Sequence, residues 1–269
     1  MKKSILGLVA IGALVGGPAM AADLRMPVKA PMAPPPVVTN WTGCYIDGGV
    51  GYGMWNQDNS LTGNLLSPAG AVIGTVSTVT TTSGGRGWLG AAGGGCDFQF
   101  NQRFVLGAFA DYDFMDIKGS NNPNELAIVG GLTSPVSANM KERDAVYAGA
   151  RLGYLVTPSV MAYVDGGWTE ARFTQGGSFL TLNGNATGLN YPNYNTDGWF
   201  VGGGYEYALD FLPLHGLYWR TEYRFAQYDK RNLTEVVSAT GAATGNVEHS
   251  QAFVQTITSS LVWRFNFGH

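Results

Sequence analysis

The sequence has 269 residues and a formal net charge of −3, with only 13% charged residues, 12% aromatics and 39 glycines. Soluble domains carry about 25% charged residues, so this composition argues against an ordinary, fully hydrated surface. The acidic balance argues against a nucleic-acid partner, because phosphate binding needs a basic face.

Residues 1–21 read as a secretory signal. Lys2 and Lys3 make a basic start, residues 5–17 are apolar, and Ala19-Met20-Ala21 is a small-x-small cleavage site. The apolar stretch is shorter than the roughly 20 residues of a membrane-crossing helix, which makes a retained anchor the weaker alternative. No cysteine follows the cleavage site, so no lipid anchor is expected. Loss of the two lysines takes the net charge from −3 to −5. Residues 22–40 contain Pro27, Pro31, Pro34, Pro35 and Pro36. They read as an extended, semi-rigid periplasmic linker ahead of one domain over residues 41–269.

Eight segments of that domain show strand character: 44–56, 86–98, 104–117, 142–156, 160–173, 198–209, 217–228 and 251–267. Each exceeds the roughly 9–11 residues with which a tilted strand crosses a bilayer. Their pattern has period two. In the fourth, Val146, Ala148, Ala150, Leu152 and Tyr154 oppose Tyr147, Gly149, Arg151 and Gly153. In the seventh, Trp219, Tyr223 and Phe225 oppose Arg220, Glu222 and Arg224; in the eighth, Ile257, Leu261 and Trp263 oppose Thr256, Ser260 and Arg264. The connections alternate too. Those at Asn101-Gln102-Arg103, Thr157-Pro158-Ser159 and residues 211–215 are short, and the others are long and rich in Gly, Asn, Ser and Thr. Short–long alternation marks an outer-membrane barrel with short periplasmic turns and long external loops.

The expected fold is therefore all-β: an eight-stranded antiparallel up-and-down transmembrane β-barrel. Lipid offers backbone groups no hydrogen bonds, so a sheet in the membrane must close on itself. Eight strands leave an interior that side chains fill. Tyr45, Trp55, Trp88, Phe104, Trp168, Trp199, Trp219, Trp263 and Phe267 are candidates for interfacial aromatic girdles, although Tyr45 and Trp55 share a face with Asp47. A soluble lipocalin-like barrel is the alternative; it would carry its apolar residues inside.

With the apolar face outward, the lumen receives Asp47, Asp97, Asp111, Asp113, Asp165, Glu206 and Glu222 together with Arg151, Arg220, Arg224 and Arg264. Charges of both signs are costly in lipid but pair within a closed lumen, so a salt-bridged filling is expected and an ion path is the alternative. Strand glycines such as Gly49, Gly93, Gly149, Gly202 and Gly204 leave room for the long arginines. Antiparallel partners keep a constant sum of residue numbers, and both Cys44 with Cys96 and Asn56 with Gly84 give 140. A cross-strand disulfide is expected in the oxidising periplasm.

The glycine string 48–53 has neither dinucleotide spacing nor a following Lys-Ser or Lys-Thr, so it offers no phosphate cradle. The histidines, His215, His249 and His269, lie far apart without metal-ligand spacing. No catalytic residue, metal ligand or cofactor is expected. A rim base at His249 is the one catalytic arrangement the pattern leaves open.

Residues 41–53, WTGCYIDGGVGYG, resemble the first strand of the Omp25/Omp31-type porin-family outer-membrane proteins of alphaproteobacteria. The proline-rich lead after Ala22-Asp23-Leu24 fits that likeness. VGGGYEYA at 201–208 and WRTEYRF at 219–225 resemble the family's sixth and seventh strands. The resemblance covers the mature chain and implies a surface-exposed structural or immunogenic protein of the outer membrane. Two departures stand out. Cys44 replaces the usual aromatic, and the chain runs past Phe265 and Phe267, where an aromatic assembly signal is expected, to end on His269. Expected partners are outer-membrane lipid and lipopolysaccharide, the barrel-assembly machinery and host or cell-surface ligands at the loops. A small diffusion porin is the second functional reading, an enzyme the third.

Overall fold

The computed structural model describes residues 40–66, 72–121, 126–129, 132–181 and 183–265. The expected signal (1–21), the linker as far as residue 39, and Phe267 lie outside the described residues. The strands are β1 (Gly43–Leu66), β2 (Val72–Ser77), β3 (Thr81–Phe100), β4 (Phe104–Asn121), β5 (Leu126–Val129), β6 (Leu132–Thr157), β7 (Val160–Gln175), β8 (Leu180–Thr181), β9 (Leu189–Asn190), β10 (Tyr194–Ala208), β11 (Leu217–Tyr228), β12 (Arg231–Val237) and β13 (Ala243–Phe265). The fold is an all-β, antiparallel, up-and-down sheet. β1, β3, β4, β6, β7, β10, β11 and β13 pair in that order, and β1 returns to β13 from Cys44↔Phe265 to Thr62↔Val247. The long strands thus close a ring, and each segment read from the sequence maps onto one of them.

Parity governs the two faces of the ring. Along β4, exposed Phe104, Leu106, Tyr112 and Phe114 alternate with buried Val105, Phe109, Asp111, Asp113 and Met115. Trp88, Trp168, Trp199, Trp219 and Trp263 also point outward. Tyr45 and Trp55 do not: they are 2% and 0% exposed, and so leave the girdle for the interior. Their shared parity with Asp47 is the reason.

At one end of the ring the turns are tight. Phe100 pairs with Phe104 around Asn101-Gln102-Arg103, and Thr157 with Val160 around Pro158-Ser159. Asn101 and Gln102 take φ of 50° and 59°, the left-handed region that asparagine tolerates better than most residues. The third connection runs over 209–216, longer than the sequence suggested.

The opposite, loop end corrects a larger expectation. β1, β6 and β13 are 24, 26 and 23 residues long, so the sheet continues into stretches read as loops. There the alternation persists with polar groups, Gln57 and Asn59 facing in and Asn56 and Asp58 facing out. An apolar–polar criterion cannot see a strand that is polar on both faces.

Candidate functional site

Every charged residue assigned to the lumen from the sequence lies on the inner face. They form two tiers. In the tier nearer the tight turns, Glu206 is fully buried and holds three arginines: Arg264 Nε at 2.8 Å, Arg220 Nε at 3.1 Å and Arg151 Nη1 at 3.5 Å. Asp97 accepts from Arg151 at 2.5 and 2.9 Å and from Arg264 at 2.7 Å, while Arg220 donates to Asp47 at 3.2 Å. Three cations thus meet three carboxylates, so each lost hydration shell is replaced in place. The Tyr45 ring sits among the same arginines, 4.4 Å from Arg151, 4.8 Å from Arg220 and 5.1 Å from Arg264. Gly107 stands opposite Asp97 in the register, where any Cβ would collide with that carboxylate.

In the next tier Arg224 is bound by Asp111 and Glu222, with Asp165 3.9 Å away. Tyr163 donates its hydroxyl to Glu222 at 2.5 Å. Gly202 lies between Asp165 and Arg224 and leaves the space both occupy. Asp113 is buried in this tier, and so is the neighbouring inward carboxyl Glu142, which opens the segment 142–156 ahead of a register shift between Glu142 and Asp144. Their oxygens have no hydrogen-bond partner among the described residues.

Trp41 is the residue sequence reasoning missed. It is fully buried across the turn-end mouth, its Nε1 donating to Pro158 O at 3.1 Å and its backbone N–H to Gln99 Oε1 at 2.9 Å. The guanidinium of Arg264 lies 4.6 Å from its ring. The sequence offered it only as the first residue of the motif at 41–53, directly after the proline-rich segment, with no hint of this contact. Cys44 and Cys96 are cross-strand partners between β1 and β3, joined by an S–S bond of 1.96 Å. Phe265 lies beside Trp263 in a tilted contact, with ring centroids 5.0 Å apart.

The loop-end interior has a different chemistry. Asn121 donates to Glu248 at 3.1 Å, Gln57 reaches it at 3.4 Å, and Asn59 lies 2.7 Å from polar atoms of both amides. Burial pushes the Glu248 carboxyl up to about 7, although hydrogen bonds from Asn121, Tyr191 and Gln57 hold it down in part. His249 lies on the outer face. Its Nδ1 is 2.7 Å from Asn232 Oδ1 and its Nε2 is 3.1 Å from Thr62 Oγ1, so an amide and a hydroxyl occupy both ring nitrogens. His215 falls in the 209–216 connection, and His269 lies outside the described residues.

The sequence is 28% identical over 236 residues to the 31 kDa outer-membrane immunogenic protein of Brucella melitensis, covering 87% of this chain and 90% of the relative; the Brucella suis protein matches equally. Among solved structures, the outer membrane protein OprG of Pseudomonas aeruginosa aligns with 84% of this chain and 98% of its own, at 16% identity and a TM-score of 0.44. Neisserial surface protein A aligns with 80% and 97%, at 14% identity and a TM-score of 0.32. No protein-family profile matches the sequence. The likeness read at residues 41–53 is borne out: the chain is homologous to an Omp31-type protein and is an outer-membrane protein.

Proposed function

We propose that this homologue of a Brucella outer-membrane immunogenic protein is an eight-stranded transmembrane β-barrel. In this reading it is a structural surface protein whose lumen is closed by its own ion pairs. One observation carries the reading: the outward face is apolar over a continuous belt, while the charges at that height are enclosed. On β4 the belt runs from Phe104 to Phe114 and gives way to Asp116 and Lys118. Neighbouring strands change at corresponding levels, between Trp88 and Arg86, Trp168 and Glu170, and Trp199 and Asp197. Ten steps of about 3.3 Å, tilted by roughly 40°, give a height of about 25 Å, that of an outer-membrane apolar band.

In this setting the tight turns are periplasmic and the polar strand extensions stand outside the cell. Residues 22–40 lead from the cleaved signal to Trp41, which covers the periplasmic mouth. Asp97, Glu206 and the arginines they bind fill the lumen above it, which supports a closed channel over a diffusion pore. The exposed extensions are the surface offered to host or cell-surface ligands. Outer-leaflet lipopolysaccharide surrounds the belt, and the barrel-assembly machinery inserts it by reading Phe265 or Phe267. The hydrogen bonds that occupy His249 support a role without catalysis, and the acidic balance one without nucleic acid.

Refolded protein should show heat-modifiable gel mobility, the sign of a closed barrel, and no stable conductance step in planar bilayers. A stable step like that of a water-filled porin would replace this reading with the pore.

A further inference from the structure

Cations gather on the outer wall of β3, β4, β6 and β7, just past the loop-end edge of the apolar belt. Arg86 pairs with Lys118, and Lys118 with Lys141, as successive cross-strand neighbours. Arg143 and Arg172 follow one outward position nearer the belt on β6 and β7. Their side chains face solvent, that of Lys118 being 68% exposed and that of Arg143 62%. Like charges placed directly opposite one another destabilise a sheet, so such a row persists only with countercharge. The protein supplies part of it. Asp116 lies 3.0 Å from Lys118 and 2.6 Å from Lys141, and Asp144 lies 3.6 Å from Arg172. Five cations still face three carboxylates, Asp116, Asp144 and Glu170, in a chain whose net charge is −3.

A groove opens at the same place. It has a volume of about 460 Å³ and is lined by Lys118, Asn139, Lys141 and Thr174, by the apolar Met140, and by Gly119 and Gly176. Neither glycine admits a side chain: a Cβ at Gly119 would strike the Gly84 backbone, and one at Gly176 would strike Asn139. Two ammonium groups, an amide and a hydroxyl therefore surround a cavity that opens sideways. Trp88, 70% exposed, sits one outward position below Arg86, where a tryptophan marks the headgroup level.

We propose that this groove binds the phosphate-bearing headgroup of an outer-leaflet glycolipid, the lipid A portion of lipopolysaccharide. The inference rests on the transmembrane reading above. Lysine ammonium groups hold phosphate as point charges, and arginines flanking them add bidentate contacts. The sideways opening at headgroup height favours a lipid over a soluble anion or a protein docking on the loop tips. A surplus of cations at that level matches the anionic surface it would meet.

The test uses mature protein refolded in detergent, with each sample first checked for heat-modifiable mobility. Binding of diphosphoryl lipid A is measured by native mass spectrometry for the wild type, for Lys118→Gln/Lys141→Gln/Arg143→Gln, and for a control, Arg103→Gln/Lys230→Gln/Arg231→Gln. The groove variant should bind at least tenfold more weakly and the control as the wild type does. Dephosphorylated lipid A should lose a similar factor on the wild type. Equal binding by the folded groove variant, or no dependence on the lipid's phosphates, overturns the site while leaving the barrel intact. Full competition by millimolar inorganic phosphate overturns the lipid in favour of a free anion. Absence of heat-modifiable mobility in the wild type instead removes the membrane reading, and this site with it.

Discussion

The two ends of the interior solve the same problem with different chemistry. At the tight-turn end, Arg151, Arg220 and Arg264 are matched in number by Asp47, Asp97 and Glu206. At the loop end, Gln57, Asn59 and Asn121 form a neutral amide network around one carboxyl, Glu248, which makes no ion pair among the described residues. In the proposed transmembrane setting lipid surrounds the first region, so a charge there has to be cancelled by a neighbour. Past the belt, neutral donors suffice because a lone carboxyl can take up a proton. The contrast predicts that the inner region depends on ion pairing and the outer one on pH.

The largest effect should come from Glu206→Gln, which leaves three buried arginines to share two carboxylates, Asp97 and Asp47. Breaking a buried pair costs about 3–5 kcal/mol, measurable as a lowered urea midpoint for unfolding from liposomes. An effect under 1 kcal/mol, on the scale of an exposed pair, would break the comparison.

Glu248→Gln should act in the opposite direction, and only at higher pH. With its carboxyl at about 7 against an ordinary value near 4.3, the folded state keeps a proton that the unfolded chain has released. Stability therefore falls as pH rises between those values and levels off above them. The variant escapes that loss, gaining up to about 3.5 kcal/mol at pH 8 and almost nothing at pH 4. A gain equal at both pH values would contradict the assignment.

Asn59→Ala should cost about 1–3 kcal/mol by leaving buried amide partners unsatisfied, independent of pH from 5 to 8. Smallest of all, His249→Ala on the outer wall should stay within about 0.5 kcal/mol. A larger change, or loss of any measured activity, would give that rim a role the comparison denies it.

Parity made much of this arrangement legible. Alternation along 142–156 and 217–228 set Arg151, Arg220 and Arg224 on the inner face before any pairing was known. The constant residue sum set Cys44 against Cys96, and the register pairs them. The strand extensions were not legible, because outside lipid nothing requires an apolar outer face and a two-sided polar strand reads as loop. Nor was the covering of the mouth by Trp41. That contact joins residues 41 and 158, and no local pattern reports a chain folding back under a ring. The basic row was hidden for a similar reason: Arg86, Lys118 and Lys141 are distant in sequence and become neighbours only through the register of three strands.

The claim beneath all of this concerns which way the rings point, and tryptophan fluorescence reads it directly. Single-tryptophan variants in bilayers with brominated acyl chains should show strong quenching for Trp219, Trp263 and Trp168, and little for Trp41 and Trp55, which are 0% exposed. Strong quenching of Trp55 with Trp219 and Trp263 left bright would turn the barrel inside out and contradict the account.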